Sequence, residues 1–222
     1  MNSDSCFRRK REPHVGPAAV TPINNKASSG GLPKTARGEA TRKSILDAAE
    51  RVIGSNGYSD ASIGQITREA GVAQGTFYIY FKTKEQVFSE LVLEMGRLVR
   101  HRIAEATANV PNRLDAEKAG LTAFLGFVQA HPDLYRIVQE ALFVDPKAYR
   151  AYYESFANGY IDGLNTALRA GQISPGDPET RAWALMGVAR ALGEQLVVFN
   201  TKTPIQDLVE TGFDLIANGL KP

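Results

Sequence analysis

The 222-residue sequence predicts an all-α fold of about nine helices, on three observations. Apolar residues recur at i, i+3, i+4 and i+7 from about residue 41 to the end, the spacing of one helix face. Start and stop residues punctuate that pattern again and again: hydroxyl or Asp caps, Pro at the first helical position, Gly after the last. No alternating apolar and polar run is long enough to compete as a strand. Apolar residues make up 43% of the chain, ordinary for a protein that buries a substantial core.

The first helix is carried by Ile45, Ala48, Ala49, Val52 and Ile53, one apolar stripe, with Asn56-Gly57 as its stop. Ser62-Ile63-Gly64-Gln65 has the form of a capping box and opens a short second helix that ends before Gly71. Thr83-Lys84-Glu85-Gln86 has the same form and opens a long amphipathic helix, with Val87, Phe88, Leu91, Val92, Met95, Leu98, Val99 and Ile103 inward, to about residue 108. Beyond Pro111, helices are expected at about 114–130, 132–143, 146–170, 178–199 and 204–218. Asp145-Pro146, Asp177-Pro178 and Thr203-Pro204 act as cap-and-first-residue pairs for the last three, and Gly171 and Gly219 as stops.

Ahead of these helices, residues 1–36 hold four prolines, Ser28-Ser29-Gly30-Gly31 and the cluster Arg8-Arg9-Lys10-Arg11, and read as a flexible basic arm. Net charge is +2 overall, but residues 1–40 balance at +4 and the remainder at −2. Such an arm either solubilises the chain or lies along a polyanion such as DNA. Three segments follow: the arm at 1–36, a compact helical unit at 37–84, and a larger helical unit at 85–222.

The run Phe77-Tyr78-Ile79-Tyr80-Phe81 has the propensity of a strand, yet residues 71–83 lie between two helices with no second strand to pair with. As a helix, Phe77 and Phe81 stand at i and i+4 and face inward, with Val72 anchoring the turn before them. Gly75, Thr76, Tyr78 and Ile79 then project outward, a wasteful surface for solubility and a suitable one for a groove. Gly75 permits close backbone approach, Thr76 can hydrogen-bond a base edge or a phosphate, and Ile79 can meet thymine methyl groups. Tyr78 and Tyr80 offer rigid hydroxyls to backbone phosphates, and Lys82 and Lys84 close the segment with positive charge. Tyr78 as a core aromatic and Lys84 as a solvated lysine are the plainer alternatives for those two positions.

A short helix, a Gly turn and a second short helix form a helix-turn-helix, whose second member enters the major groove. The run Gly71-Val72-Ala73-Gln74-Gly75-Thr76-Phe77-Tyr78-Ile79-Tyr80-Phe81-Lys82-Thr83-Lys84-Glu85 makes the likeness more specific. From about Thr41 to Leu91 the chain resembles the DNA-binding domain of TetR-family transcriptional regulators. The resemblance implies that Gln74, Gly75, Thr76 and Tyr78 contact the major groove, that Tyr80 and Lys84 clamp phosphates, and that Ser62 presents its hydroxyl and nearby N–H groups to a phosphate. It adds Thr41 and Arg42 as backbone contacts. Gly64 departs from members that carry a base-reading side chain there.

Residues 124–160 hold most of the aromatics, and the helix at 146–170 carries Tyr149, Tyr152, Tyr153, Phe156 and Tyr160 as a wide stripe. Such residues form either core or the wall of a small-molecule site between helices. The candidate lining is Phe124, Phe127, Tyr135, Tyr152, Tyr153, Phe156 and Trp183, with Arg136, Gln139 and Arg190 as polar anchors. Aromatic or acyl effectors fit such a wall, a coenzyme A thioester among them. The last two helices carry an apolar surplus that includes Val188 and Leu192. In the resembled family this pair forms a four-helix bundle in a homodimer, which would present two recognition helices to two half-sites of a double-stranded operator.

Several function classes are excluded by what is missing. His14, His101 and His131 are scattered, no metal-ligand spacing or phosphate loop occurs, and no cofactor is expected. Cys6 is the single cysteine, and no run of about 18 apolar residues could span a bilayer, so a cytoplasmic chain without a membrane partner is expected. A ligand-responsive repressor is the function expected; a helical adaptor that binds protein and not DNA is the alternative.

Overall fold

Nine helices follow one another through residues 35–219, the part of the chain that the computed structural model describes. They are α1 Ala36–Asn56, α2 Ile63–Glu69, α3 Gln74–Tyr80, α4 Lys84–Thr107, α5 Arg113–Ala130, α6 Pro132–Val144, α7 Pro146–Arg169, α8 Pro178–Val197 and α9 Ile205–Asn218. There is no strand among the described residues. The basic cluster Arg8–Arg11 and Cys6 lie outside them. The first helix starts earlier than its apolar stripe suggests, because Thr35 accepts the Gly38 N–H at 3.1 Å and nucleates an extra turn and more ahead of Ile45.

Most helix ends have the expected chemistry. Ser62 accepts the Gln65 N–H while the Gln65 side chain accepts the Ser62 N–H, a reciprocal box. Asp145 accepts from Lys147 and Ala148, and Asp177 from Thr180 at 2.7 Å, with Pro146 and Pro178 at the first helical positions. Gly71 and Gly171 take φ of +68° and +67°, in the left-handed region that closes α2 and α7 at little steric cost. Two starts depart from expectation. Thr83 accepts from Gln86 N–H, but the Gln86 side chain reaches Lys82 N–H at 2.9 Å instead of closing the box on Thr83. At α9, Pro204 is itself the cap and Thr203 does not cap it; its hydroxyl instead accepts a hydrogen bond from Thr201.

The main core runs without a break from α1–α3 into α4, α6 and α7, with Phe77, Phe81, Phe88, Ile45, Ile53 and Met95 fully buried. A smaller cluster of Leu121, Leu125, Leu208 and Val209 joins α5 to α9. The long helix α4 packs on α5, α6 and α7, but it is not the sole bridge from the N-terminal helices to the rest: α6 also packs along α1. The absence of a side chain at Gly54 lets Asp133 of α6 sit against α1, since a Cβ there would overlap it. Glu140 of α6 accepts the Tyr58 N–H after α1, at 3.0 and 3.2 Å from its two oxygens.

Candidate nucleic-acid interface and effector cavity

The helix-turn-helix is built as its local sequence dictates. Phe77 and Phe81 are fully buried, their rings 5.7 Å apart, and they lock α3 onto the core. The outward face of α3 then carries Gln74 and Gly75, both exposed, with Tyr78 52% and Ile79 67% exposed. Thr76 and Tyr80 are half-buried at its edges, and Lys82 is exposed just beyond. Tyr78 is thus no core aromatic. At Gly75 a Cβ would meet nothing within 4 Å, so no neighbour within the chain requires glycine there.

Four flanking candidates have polar groups engaged within the chain. Lys84 Nζ donates to the carbonyls of Tyr58 and Ala61 at 2.6 and 2.7 Å and lies 4.2 Å over the Tyr58 ring. Its charge thereby braces the α1–α2 loop, and two of its three protons are engaged before any phosphate arrives. Arg42 is ion-paired with Glu90 of α4 and sits 5.1 Å over the Phe81 ring, tying α1 to α4. The Ser62 hydroxyl is occupied by Gln65 on both its donor and acceptor sides. Thr41 donates to the Arg37 carbonyl at 3.0 Å.

Tyr58 donates to Glu85 at 2.7 Å; burial and this partner push its phenol up, and the same bond holds the Glu85 carboxyl below its ordinary value. Asp145 is also held low: burial alone would raise it, but the Ser89 hydroxyl and the N–H groups of Ala148 and Lys147 outweigh that.

The second site lies among α4 to α9. An inner chamber of about 80 Å³ has mostly apolar walls, including Phe124, Tyr135, Tyr152, Tyr153 and Phe156, with Gln139 and Arg190 among its polar groups. Burial pushes the phenols of Tyr135, Tyr152 and Tyr153 up, so all three stay protonated and neutral. Tyr135 uses its hydroxyl on the Arg190 carbonyl at 2.9 Å. Toward solvent lies a wider cleft of about 700 Å³ between α4, α5 and α7, bordered by Arg100 and Arg113.

Three expected lining residues are elsewhere. Phe127 stacks on His131, their rings 4.4 Å apart, beside a different groove. Arg136 pairs with Asp133 on the surface. Trp183 is 45% exposed and covers the outer side of Tyr153. The sequence reading missed Glu117, which is buried on the chamber wall, and left Tyr160 out of its lining set. The signal for Glu117 was available: Arg113 and Glu117 are i and i+4 on a helix otherwise apolar on that face.

A recognition helix with an exposed polar and aromatic face, joined to a helical body with an internal chamber, defines a DNA-binding regulator of the helix-turn-helix class. Residues 45–91 match the family described as "Bacterial regulatory proteins, tetR family". Over 192 residues the chain is 30% identical to an uncharacterized HTH-type transcriptional regulator, YdgC, of Bacillus subtilis (strain 168), covering 84% of this chain and 95% of that one. It is 26% identical over 182 residues to the fatty acid metabolism regulator protein of the same strain, covering 79% and 93%. Its fold is similar to that of the transcriptional regulator FadR from Bacillus subtilis, solved in complex with stearoyl-CoA, with a TM-score of 0.73 at 22% identity over 81% of this chain and 99% of that one. The chain belongs to the tetR family of bacterial regulatory proteins. It is a DNA-binding transcriptional regulator and not an enzyme, which removes the adaptor reading. No described helix is long and apolar enough to cross a membrane.

Proposed function

We propose that the chain is a cytoplasmic repressor, active as a homodimer, whose hold on a palindromic operator is released by an acyl thioester of coenzyme A. The observation that carries this reading is an apolar chamber that opens into a cleft bordered by two arginines. Apolar walls favour a hydrocarbon chain, and arginines at the mouth suit phosphates. The stearoyl-CoA held by the similarly folded FadR supports the choice of thioester. Operator contacts are assigned to Gln74, Gly75, Thr76, Tyr78 and Ile79, with Tyr80 and Lys82 beside the backbone. The chamber's small volume favours a second reading, a compact aromatic acid stacked among the tyrosines.

A ligand that releases DNA must bind the DNA-free state more tightly, and the coupling is reciprocal. Calorimetry with acyl-CoA esters of increasing chain length, with and without operator, tests this directly. Operator is expected to weaken ester binding by the same factor by which ester weakens operator binding. Equal ester affinity in both titrations, or affinity no better than that of free coenzyme A, rules the thioester out; aromatic acids in the same assay test the second reading.

A further inference from the structure

We propose that Arg190 is a second anion site at the far wall of the chamber, so that the effector is a short acyl thioester whose distal end carries a carboxylate. The inference rests on the reading of the chamber as the effector site and specifies the chain end that site takes.

The chamber borders two separate spaces. It shares Ile103, Glu117, Gly120, Phe156 and Tyr160 with the cleft between α4, α5 and α7, and Tyr153, Met186 and Arg190 with an outer groove between α7 and α8. The cleft and the groove have no lining residue in common. Along α7, Tyr153 and Tyr160 are seven residues apart, which is two turns and roughly 10 Å at a rise of 1.5 Å per residue. A chain that enters from the cleft therefore has Arg190 ahead of it, on the side away from Arg100 and Arg113.

Polar groups gather on that side. The Tyr135 hydroxyl donates to the Arg190 carbonyl at 2.9 Å, which holds α6 against α8, and Gln139 stands one turn further along α6. Gln139 and Tyr149 flank the Tyr153 hydroxyl, and Tyr149 also reaches the Arg190 guanidinium. Glu194 is the one carboxylate paired with Arg190 among the described residues, but its Oε1 stands 3.6 Å from Nε, beyond hydrogen-bond length. Their side chains are 47% and 34% exposed, and a loose, solvated pair of this kind is weak. The guanidinium carries five N–H donors in a planar fork, so room is left for a second carboxylate.

A methyl end placed here would strip water from Arg190 and Gln139 and return no hydrogen bond, which is unfavourable. A carboxylate end can take the guanidinium fork in a bidentate pair, displacing the loose Glu194 contact, with the Gln139 amide as a further donor. Between the two polar ends the walls are Phe124, Phe156, Leu185 and Ala189, suited to methylenes. An extended chain gains roughly 1.2 Å per bond, so a six-carbon diacid covers most of the span.

Hexanoyl-CoA and adipoyl-CoA share carbon number and coenzyme and differ only at the far end, methyl or carboxylate, so the ratio of their dissociation constants reads Arg190. Wild-type protein is expected to bind adipoyl-CoA at least about tenfold more tightly, a gap of about 1.4 kcal/mol. Arg190→Gln should erase that preference, mainly by weakening adipoyl-CoA; the backbone carbonyl that Tyr135 uses is untouched, and melting checks the fold. Arg190→Lys keeps the charge without the fork and should retain part of the preference. Arg100→Gln, on the cleft side, should weaken both esters alike and leave the ratio as it is. Hexanoyl-CoA binding wild type as tightly as adipoyl-CoA overturns the distal anion site and leaves the thioester reading standing, and so does a preference that folded Arg190→Gln keeps in full. Wild-type protein that binds neither ester overturns both.

Discussion

Gly75 occupies the second position of a seven-residue helix, and nothing in the chain fills the space beside it. Glycine inside a helix costs roughly 0.5–1 kcal/mol relative to alanine, and the operator contact proposed for this face would account for its presence. Gly75→Ala is therefore expected to move two measurements in opposite directions. Melting should shift upward, while operator affinity measured by fluorescence anisotropy should fall by on the order of 1–3 kcal/mol as the added methyl group holds the helix off the groove. An alanine variant that binds operator like wild type would remove the reason given for this glycine. At this scale the sequence told residue types but not their partners. Gly75, Tyr78 and Ile79 were legible as outward-facing because spacing within one helix fixes direction. Lys84 and Arg42 were not, since the groups that occupy them, the Tyr58 and Ala61 carbonyls and Glu90, come from other elements.

Helix boundaries were legible for the same local reason: caps and glycine stops act within four residues, so α5 to α8 fall close to where their punctuation put them. Helix pairing was not, and α6 shows why. Its contact with α1 depends on the bare backbone of Gly54 meeting Asp133, which no periodicity encodes. That contact makes α6 a second physical link from the chamber to the N-terminal helices, because Gln139 lines the chamber and the adjacent Glu140 holds the Tyr58 N–H in the α1–α2 loop.

The same contact gathers negative charge. Burial pushes the Glu50 carboxyl up, with Asp47 and Asp133 adding to the rise and Arg51 and Lys43 opposing it. A carboxyl whose folded value lies above its unfolded value costs stability while ionised, and that cost fades as pH falls through the folded value. Glu50→Gln should therefore stabilise the protein against urea at pH 7, with the gain shrinking toward zero as pH falls past the folded value of Glu50. A gain of equal size across that range would show that the cost of the buried, ionised carboxylate is not its cause.

For the whole molecule, the decisive question is how two recognition helices come to be held about 34–36 Å apart, the spacing of successive major grooves. The described residues of one chain carry one such helix, so a symmetric pair is required, and the surface that makes it must be exposed in the single chain. Leu192 does not qualify. It packs against α5 and α9, and a Cβ on Gly212 would stand 2.7 Å from it, so a charge there would test folding and not assembly. Ala184, Gly187, Ala191 and Gln195 of α8 and Val198 at its C-cap do qualify: they are exposed and follow one another at steps of three or four, with Leu215 of α9 44% exposed as well. Small residues along such a stripe let two helices approach closely, and Ala191 stands at its middle. Ala191→Arg would place a charge at the centre of that contact while leaving the single chain's packing intact. Sedimentation is expected to show a monomer, melting to show a folded chain, and operator affinity to drop to the level of non-specific DNA, because one half-site cannot supply the affinity of two. A folded Ala191→Arg dimer that keeps full operator affinity would move the interface off this face of α8.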